Sequence, residues 1–165
     1  MRYVVRTLLA IVIAFAAVSC AANLSREARS QVTYEGDFIS LRQHPDLYMG
    51  EVVMLGGKII QNQASEAITE LVVLQLALTA ANRPAGEDRS DGRFIVHSEQ
   101  FLDPALYPPG TPITVIGRIT GSEKRAIGQM DYTYPLIELI EIKKWNPVDQ
   151  RNPRVHFGFG VGTVF

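Results

Sequence analysis

Residues 52 to 60 have the sequence VVMLGGKII, in which Gly56 and Gly57 interrupt an apolar strand. Glycine pairs inside a strand usually mark a sharp bend or a bulge, because they lack the side chain that resists bending. A strand bent in this way can pair with neighbours in both halves of a small closed barrel. The segment therefore predicts the first strand of a barrel.

The rest of the sequence after Pro45 also predicts mainly strands. Further strands are expected at 68–78, with apolar residues at period two (Val72, Leu74, Leu76, Leu78), at 94–96, at 113–120, and at 132–145, with Leu136, Ile140 and Ile142 on one face. A brief helix is predicted at 100–107, ended by the sequence PPG. Three strands, a short helix and two strands are typical of the OB-fold, an all-β, five-stranded Greek-key barrel. A generic β-sandwich or meander is the alternative.

Upstream of the barrel, residues 21–36 are polar and lack a sustained apolar period, which favours a tether over a short helix. One or two helical turns follow at 37–44. Asp37 is placed to cap them, Phe38 and Leu41 share a face, and Pro45 ends them.

The chain begins with a pattern typical of a cleaved export signal. Arg2 and Arg6 precede an eleven-residue apolar run at 8–18. A membrane-spanning helix would need about 20 apolar residues. The run is shorter than this and ends in small residues, so a secretory signal peptide is predicted at 1–19.

The single cysteine lies where such a signal would be cut. Residues 17–20, AVSC, resemble the bacterial lipobox, although Ala17 stands where leucine is usual. This resemblance implies cleavage after Ser19, a diacylglyceryl thioether on Cys20 and a further acyl chain, such as palmitate, on its amino group. The alternative is an ordinary apolar residue at the end of the segment. Ala21, where an aspartate would resemble an inner-membrane retention signal, favours the outer membrane on its periplasmic face.

Composition sets limits on function. The chain of 165 residues is long enough for one domain and a leader, and its 47% hydrophobic residues can form a core. Removal of the leader would leave 14 basic against 17 acidic residues, which argues against a nucleic-acid partner. One cysteine provides neither an internal disulfide nor a zinc site.

Motifs for catalysis or metal binding are missing from the sequence. Three histidines lie far apart without ligand spacing (His44, His97, His156). The acidic segment 87–92 places Arg89 where calcium would need a ligand. The glycine-rich segment 158–162 is not followed by a helix that could hold a pyrophosphate. Tyr132, Tyr134 and Trp145 could form a stacking platform, but packing is the expected role. We therefore predict no enzyme activity, no cofactor and no metal, and the sequence assigns no ligand-binding residues.

Several segments between residues 38 and 146 carry a family resemblance. They are LRQHP at 41–45, GEVVMLGGKII at 50–60, VLQLAL at 73–78, GRFI at 92–95, FLDP at 101–104, ITVIG at 113–117 and YTYPL at 132–136. Together they resemble the Slp-type, or starvation-inducible, outer-membrane lipoproteins of Gram-negative bacteria. The resemblance implies an OB-like barrel anchored in the outer membrane, with a role in envelope maintenance under stress or in stationary growth.

The predicted organisation has four parts. They are a signal peptide at 1–19, a lipidated N-terminus and tether at 20–36, an OB-like barrel at 37–149 and a Gly/aromatic tail at 150–165. The leading hypothesis is a non-enzymatic structural or scaffolding protein of the envelope. The alternative is a periplasmic module that binds an oligosaccharide, a peptide or a lipid head group. Residues 154–165 alternate bulky apolar residues with glycine, which favours contact with the barrel, the membrane or an envelope protein over a mobile terminus.

Overall fold

The computed structural model describes residues 24–85 and 89–146. Its helices are α1 (Arg26–Ser30), α2 (Phe38–Gln43) and a 3-10 helix (Pro45–Tyr48), and its strands are β1 (Val52–Ala64), β2 (Thr69–Leu76), β3 (Arg93–Ser98), β4 (Pro112–Ile127) and β5 (Met130–Lys144). Within these two ranges, no helix has the length and apolar character needed to cross a membrane.

The five strands close into a barrel in the order β1-β2-β3-β5-β4. All neighbouring strands are antiparallel except β3 and β5, which run parallel with Ile95 opposite Leu136. Closure in this order is the arrangement of the five-stranded Greek-key OB barrel. The predicted all-β, OB-like fold is therefore confirmed, and the sandwich or meander alternative is wrong because the sheet closes through a parallel pair.

Strand β1 takes part in both halves of the barrel, as its glycines predicted. Its residues from Val52 to Lys58 pair with β4, and those from Gly56 to Ala64 pair with β2. At the bend, a Cβ atom on Gly57 would lie 2.5 Å from the carbonyl oxygen of Leu74. Glycine is needed at this position because the neighbouring backbone approaches too closely for any side chain.

Strand β2 is buried on both faces, and the apolar residues of β5 do not share the face that was predicted for them. In β2, Leu71 and Val73 fill the main core, while Val72 packs in a separate cluster on the opposite face. In β5, Ile137 is fully buried and Ile140 is 37% exposed, because a bulge makes Ile140 an extra residue in its pairing with β4. The predicted common face of Leu136, Ile140 and Ile142 is therefore wrong.

The two predicted helical segments have different outcomes. For α2 the prediction is confirmed: Ser40 N donates to Asp37 Oδ1 over 2.7 Å, and Phe38 is buried. The helix predicted at 100–107 is wrong, because the chain makes only a turn there. The Asp103 side chain accepts a hydrogen bond from Ala105 N over 2.8 Å, and Tyr107 N donates to Asp103 O over 2.8 Å, but Pro108 and Pro109 follow at once and prevent the turn from continuing as a helix.

Candidate functional site

The predicted lipid-attachment residue lies outside the described residues. Cys20, the cleavage position after Ser19, His156 and the tail at 150–165 all belong to the parts of the chain that are not described. The first described residue is Leu24, four positions after Cys20. The contacts of Leu24 and its neighbours identify the end of the barrel that an anchor at Cys20 would adjoin.

The segment that begins at Leu24 packs directly on the barrel. Ser25 caps α1 by accepting a hydrogen bond from Ala28 N, and it donates from its backbone N (2.9 Å) and its Oγ (2.6 Å) to the Glu141 carboxylate on β5. Leu24 and Ala28 are buried in a cluster with Val52. The predicted tether to residue 36 is therefore wrong from Leu24 onward, since its small apolar face is covered by the barrel.

A recess of about 280 Å³ opens beside Leu24, and we call it the anchor-proximal recess. It is lined by Leu24, Arg29, Ala80, Ala81, Asn82, Lys143 and Trp145. Its walls come from α1, from the loop after β2 and from the end of β5. Of these described lining residues, two are cationic and none is acidic.

Trp145 is held firmly in this recess. Its indole Nε1 donates a 2.9 Å hydrogen bond to Thr114 Oγ1 on β4, which fixes the plane of the ring. The Lys143 Nζ lies 3.8 Å from the ring centroid, and the Arg83 guanidinium lies 5.5 Å from it. Two cations thus contact one half-buried aromatic ring.

A hairpin covers the outer face of β1, β2 and β3. This hairpin, residues 121–135 of β4 and β5, is called here the covering hairpin. Its Tyr134 is buried together with Val72 of β2 and Ile95 of β3. Tyr132 Oη accepts a 2.7 Å hydrogen bond from Arg93 N at the start of β3. OB-folds commonly bind oligonucleotides or oligosaccharides on the face of strands 2 and 3, and here the chain's own side chains occupy that face.

An ion-pair network fastens the covering hairpin to β2. Arg125 donates to both oxygens of Glu70 and, over 2.6 and 2.9 Å, to both oxygens of Glu123. The hydrogen bonds from Arg125 hold the pKa of the Glu70 and Glu123 carboxyls below their usual range, and the two carboxylates raise the pKa of Arg125. His97 Nε2 lies 3.4 Å from Glu70 Oε2. The interpretation of His97 as a satisfied surface histidine agrees with this contact.

The arrangement around His97 does not provide a catalytic dyad. Its imidazole contacts a carboxylate already held by Arg125, and no hydroxyl nucleophile hydrogen-bonds it in the described part of the chain. The exposed His44 lies in a separate region, before the 3-10 helix. Between 24 and 85 and between 89 and 146, no cluster of histidine, aspartate and glutamate side chains could hold a metal ion. Nothing in these ranges indicates catalysis.

The three aromatics considered for a stacking platform are not brought together. Tyr132 and Tyr134 form an edge-to-face pair with centroids 4.7 Å apart in the covering hairpin, whereas Trp145 lies in the anchor-proximal recess. A second recess, of about 560 Å³, lies beside the β1–β2 turn. It is lined by Ala64, Ser65, Glu66, Ile68, Thr69, Glu99 and Phe101. Phe101, which is 64% exposed, is its only aromatic residue.

Two features of the site have no clear signal in the sequence. The ion pair joins Arg125 to Glu70, 55 positions away, so no local spacing marks it. The recess around Trp145 combines residues from three separate segments. The only local sign of it is the sequence KKW at 143–145, in which the cations precede the single tryptophan.

Fold and site together define an OB-type barrel whose described N-terminal segment, from Leu24, packs on the barrel and whose usual ligand face is covered by its own hairpin. The chain belongs to the outer membrane lipoprotein Slp family, whose family model matches residues 18–160. It is therefore a lipoprotein of the outer membrane, and the predicted family is confirmed.

Three relatives were found, and the names of two of them agree with this assignment. The chain is 30% identical over 121 residues to "Uncharacterized lipoprotein YeaY" and 26% identical over 120 residues to "Outer membrane protein Slp", both of Escherichia coli, covering 73% of this chain and 62% and 63% of theirs. It is 38% identical over 96 residues to an uncharacterized protein of Haemophilus influenzae, covering 58% of this chain and 52% of that one. The chain thus matches between half and two thirds of the length of these relatives.

A solved structure also has some likeness to the chain. The small single-stranded DNA-binding protein from Streptomyces coelicolor matches with a TM-score of 0.40 and 13% identity, over 58% of this chain and 94% of that one.

Proposed function

We propose that this protein is a non-enzymatic, lipid-anchored structural or scaffolding component of the outer membrane, facing the periplasm. The observation that carries the proposal is the covering hairpin, whose Ile127, Tyr132 and Tyr134 fill the face that OB-folds use for ligands. A barrel that covers this face with its own chain is suited to presenting its remaining surface to a partner. A role under stress or in stationary growth rests on family membership alone.

The anchor in this proposal is Cys20, released as the new N-terminus by cleavage after Ser19. A thiol is required because sulfur carries the diacylglyceryl group as a thioether. Two acyl chains already hold a protein stably on a bilayer, and an N-acyl chain such as palmitate would add to this. The charge balance of 14 basic to 17 acidic residues offers no general electrostatic attachment, so the lipid is the main anchor.

Binding of a small ligand is the alternative function, and the second recess beside Phe101 is the place that favours it. Its volume of about 560 Å³ suits a small ligand, and Phe101 and Ile68 supply apolar surface. Glu66 and Glu99 also line it. These carboxylates favour a peptide with a basic residue over an anionic sugar or head group.

A crosslinking experiment in intact cells separates the two functions. A photo-reactive residue is placed at Phe101 or at Met130, which are 64% and 74% exposed, or in the tail at Phe157. A scaffolding role predicts a discrete crosslinked protein from at least one position, and deletion of 154–165 removes it if the tail carries the contact.

Thermal unfolding with a panel of oligosaccharides, peptides and lipid head groups completes the test. The scaffolding proposal expects no rise in Tm. A ligand that raises Tm in the natural chain and not in Phe101→Ser, with no crosslink at any position, would establish the binding module instead.

A further inference from the structure

The anchor-proximal recess combines a fixed tryptophan with three nearby cations. Arg29 and Lys143 line it, and the Arg83 guanidinium lies over the Trp145 ring, with its Nη2 donating a 2.7 Å hydrogen bond to Asn146 O. On β5, the Glu141 carboxylate accepts two hydrogen bonds from Ser25. The recess itself therefore presents positive charge beside an indole.

The length of chain between the recess and the anchor is short. This step rests on the proposed acylation of Cys20. Leu24 lines the recess and follows Cys20 by four residues, which span at most about 14 Å when fully extended. Electrostatic screening at physiological salt acts over about 8 Å. Even fully extended, the linker keeps the recess within about two screening lengths of the anchored end, where the attraction to the bilayer surface is weakened but not abolished.

We propose that the anchor-proximal recess binds the phosphate of anionic phospholipid head groups in the leaflet that carries the anchor. Arg29, Arg83 and Lys143 supply the positive charge, and Trp145 lies at the depth of the head groups, where tryptophan is enriched in membrane proteins. The contact fixes one orientation of the barrel on the membrane, with the recess against the bilayer. The lipid provides the attachment, and the recess provides the orientation.

Trp145 is the only tryptophan of the chain and therefore serves as the reporter. Full-length lipidated protein is reconstituted into vesicles of phosphatidylcholine, with or without an equal part of phosphatidylglycerol, each containing lipids brominated near the head group. We expect quenching of Trp145 to be about twofold greater in the anionic vesicles, and the difference to fall with added salt.

Matched variants test the assigned cations. Lys143→Gln and Arg29→Gln should each reduce the difference between the two vesicle types. Lys124→Gln removes the same charge from the exposed surface of the covering hairpin and should leave the difference unchanged. Each variant is compared with itself in both vesicles, so a change in the intrinsic fluorescence of Trp145 cancels.

Two results would overturn the inference, and they are distinguishable. Protein that floats with the vesicles but shows equal quenching in both compositions, or an equal effect of all three variants, overturns the head-group site and leaves the anchor intact. Protein that does not float with either vesicle overturns the anchored function, and the head-group site with it.

Discussion

Arg125 and Glu70 form a two-pronged ion pair between segments 55 residues apart in the sequence. Nη1 lies 2.6 Å from Oε1 and Nη2 lies 2.7 Å from Oε2, and the Glu70 side chain is only 16% exposed. Planar guanidinium and carboxylate groups suit this parallel geometry. The pair joins the covering hairpin to β2, so it holds in place the element that fills the ligand face of the barrel.

Replacing Arg125 with Met should lower the free energy of unfolding by about 1–3 kcal/mol, because Glu70 is left partly buried without its main partner. Lysine should not restore the loss, since it cannot donate two parallel hydrogen bonds. Urea denaturation measures the effect, with Lys124→Met as control on the exposed side of the same hairpin. Equal stability of the two variants would mean that the ion pair does not fasten the hairpin.

Acidic pH should weaken the ion pair between Arg125 and Glu70. The pKa of Glu70 is lowered, mainly by hydrogen bonds from Arg125, so the folded state binds fewer protons than the unfolded state. The resulting stability is fully present above the unfolded pKa, about 4.3, and is lost as the pH falls through the lower folded value. The free energy of unfolding should therefore drop between about pH 5 and about pH 3. In Arg125→Met the drop should be smaller, and an identical pH profile would contradict the assignment.

The parts of the fold that the sequence predicts correctly depend on local chemistry. The bend in β1 follows from two adjacent glycines, and the start of α2 follows from Asp37, whose side chain caps its own helix. Both signals lie within a few residues of the structure they determine. Both features can therefore be predicted without knowing which residues pack against them.

The parts that could not be predicted depend on distant contacts. Strand β2 is apolar on both faces, because the main core covers Leu71 and the hairpin covers Val72, so alternation alone did not identify the inner face. The bulge at Ile140 exists only in the pairing with β4. Helix α1 buries only Ala28, and Leu24 is buried just before it, which are too few residues to give a periodic signal.

Gly57→Ala should be more damaging than Gly110→Ala. A Cβ at position 57 would meet the backbone of β2, which cannot move without opening the barrel, so we expect a loss of about 2–3 kcal/mol. Gly110 has φ of +89° and open space around it, so alanine there should cost only about 1 kcal/mol of backbone strain. Denaturation midpoints compare the two variants. A larger loss of stability at Gly110 would show that the positive φ, and not the close approach of a neighbouring backbone, determines the cost of replacing these glycines.

Cys20→Ser should block both lipid transfer and cleavage, because a serine oxygen does not replace the thioether sulfur. The variant should accumulate with residues 1–19 attached, which mass spectrometry of the membrane fraction would detect. Ser19→Ala keeps a small residue before the cleaved bond and should be processed normally. A Cys20→Ser protein that is cleaved after residue 19 and still retained in the outer membrane would refute the lipid attachment.

The protein without its lipid should bind single-stranded DNA negligibly at physiological salt. Phosphate binding gains its free energy from the release of counterions, and a chain with 14 basic and 17 acidic residues after the leader provides no excess of cations. Stacking on the covering hairpin is also prevented, because Tyr134 is buried at 4% exposure and Tyr132 is bonded to Arg93, and the remaining aromatic considered, Trp145, is already contacted by two cations. Fluorescence anisotropy with a labelled oligonucleotide measures the affinity, and Arg125→Met tests whether a loosened hairpin uncovers a site.

Micromolar or tighter binding that weakens steeply with salt would restore the nucleic-acid function. Binding by the Arg125→Met variant alone would mean that the covering hairpin is a lid over an intact OB ligand face.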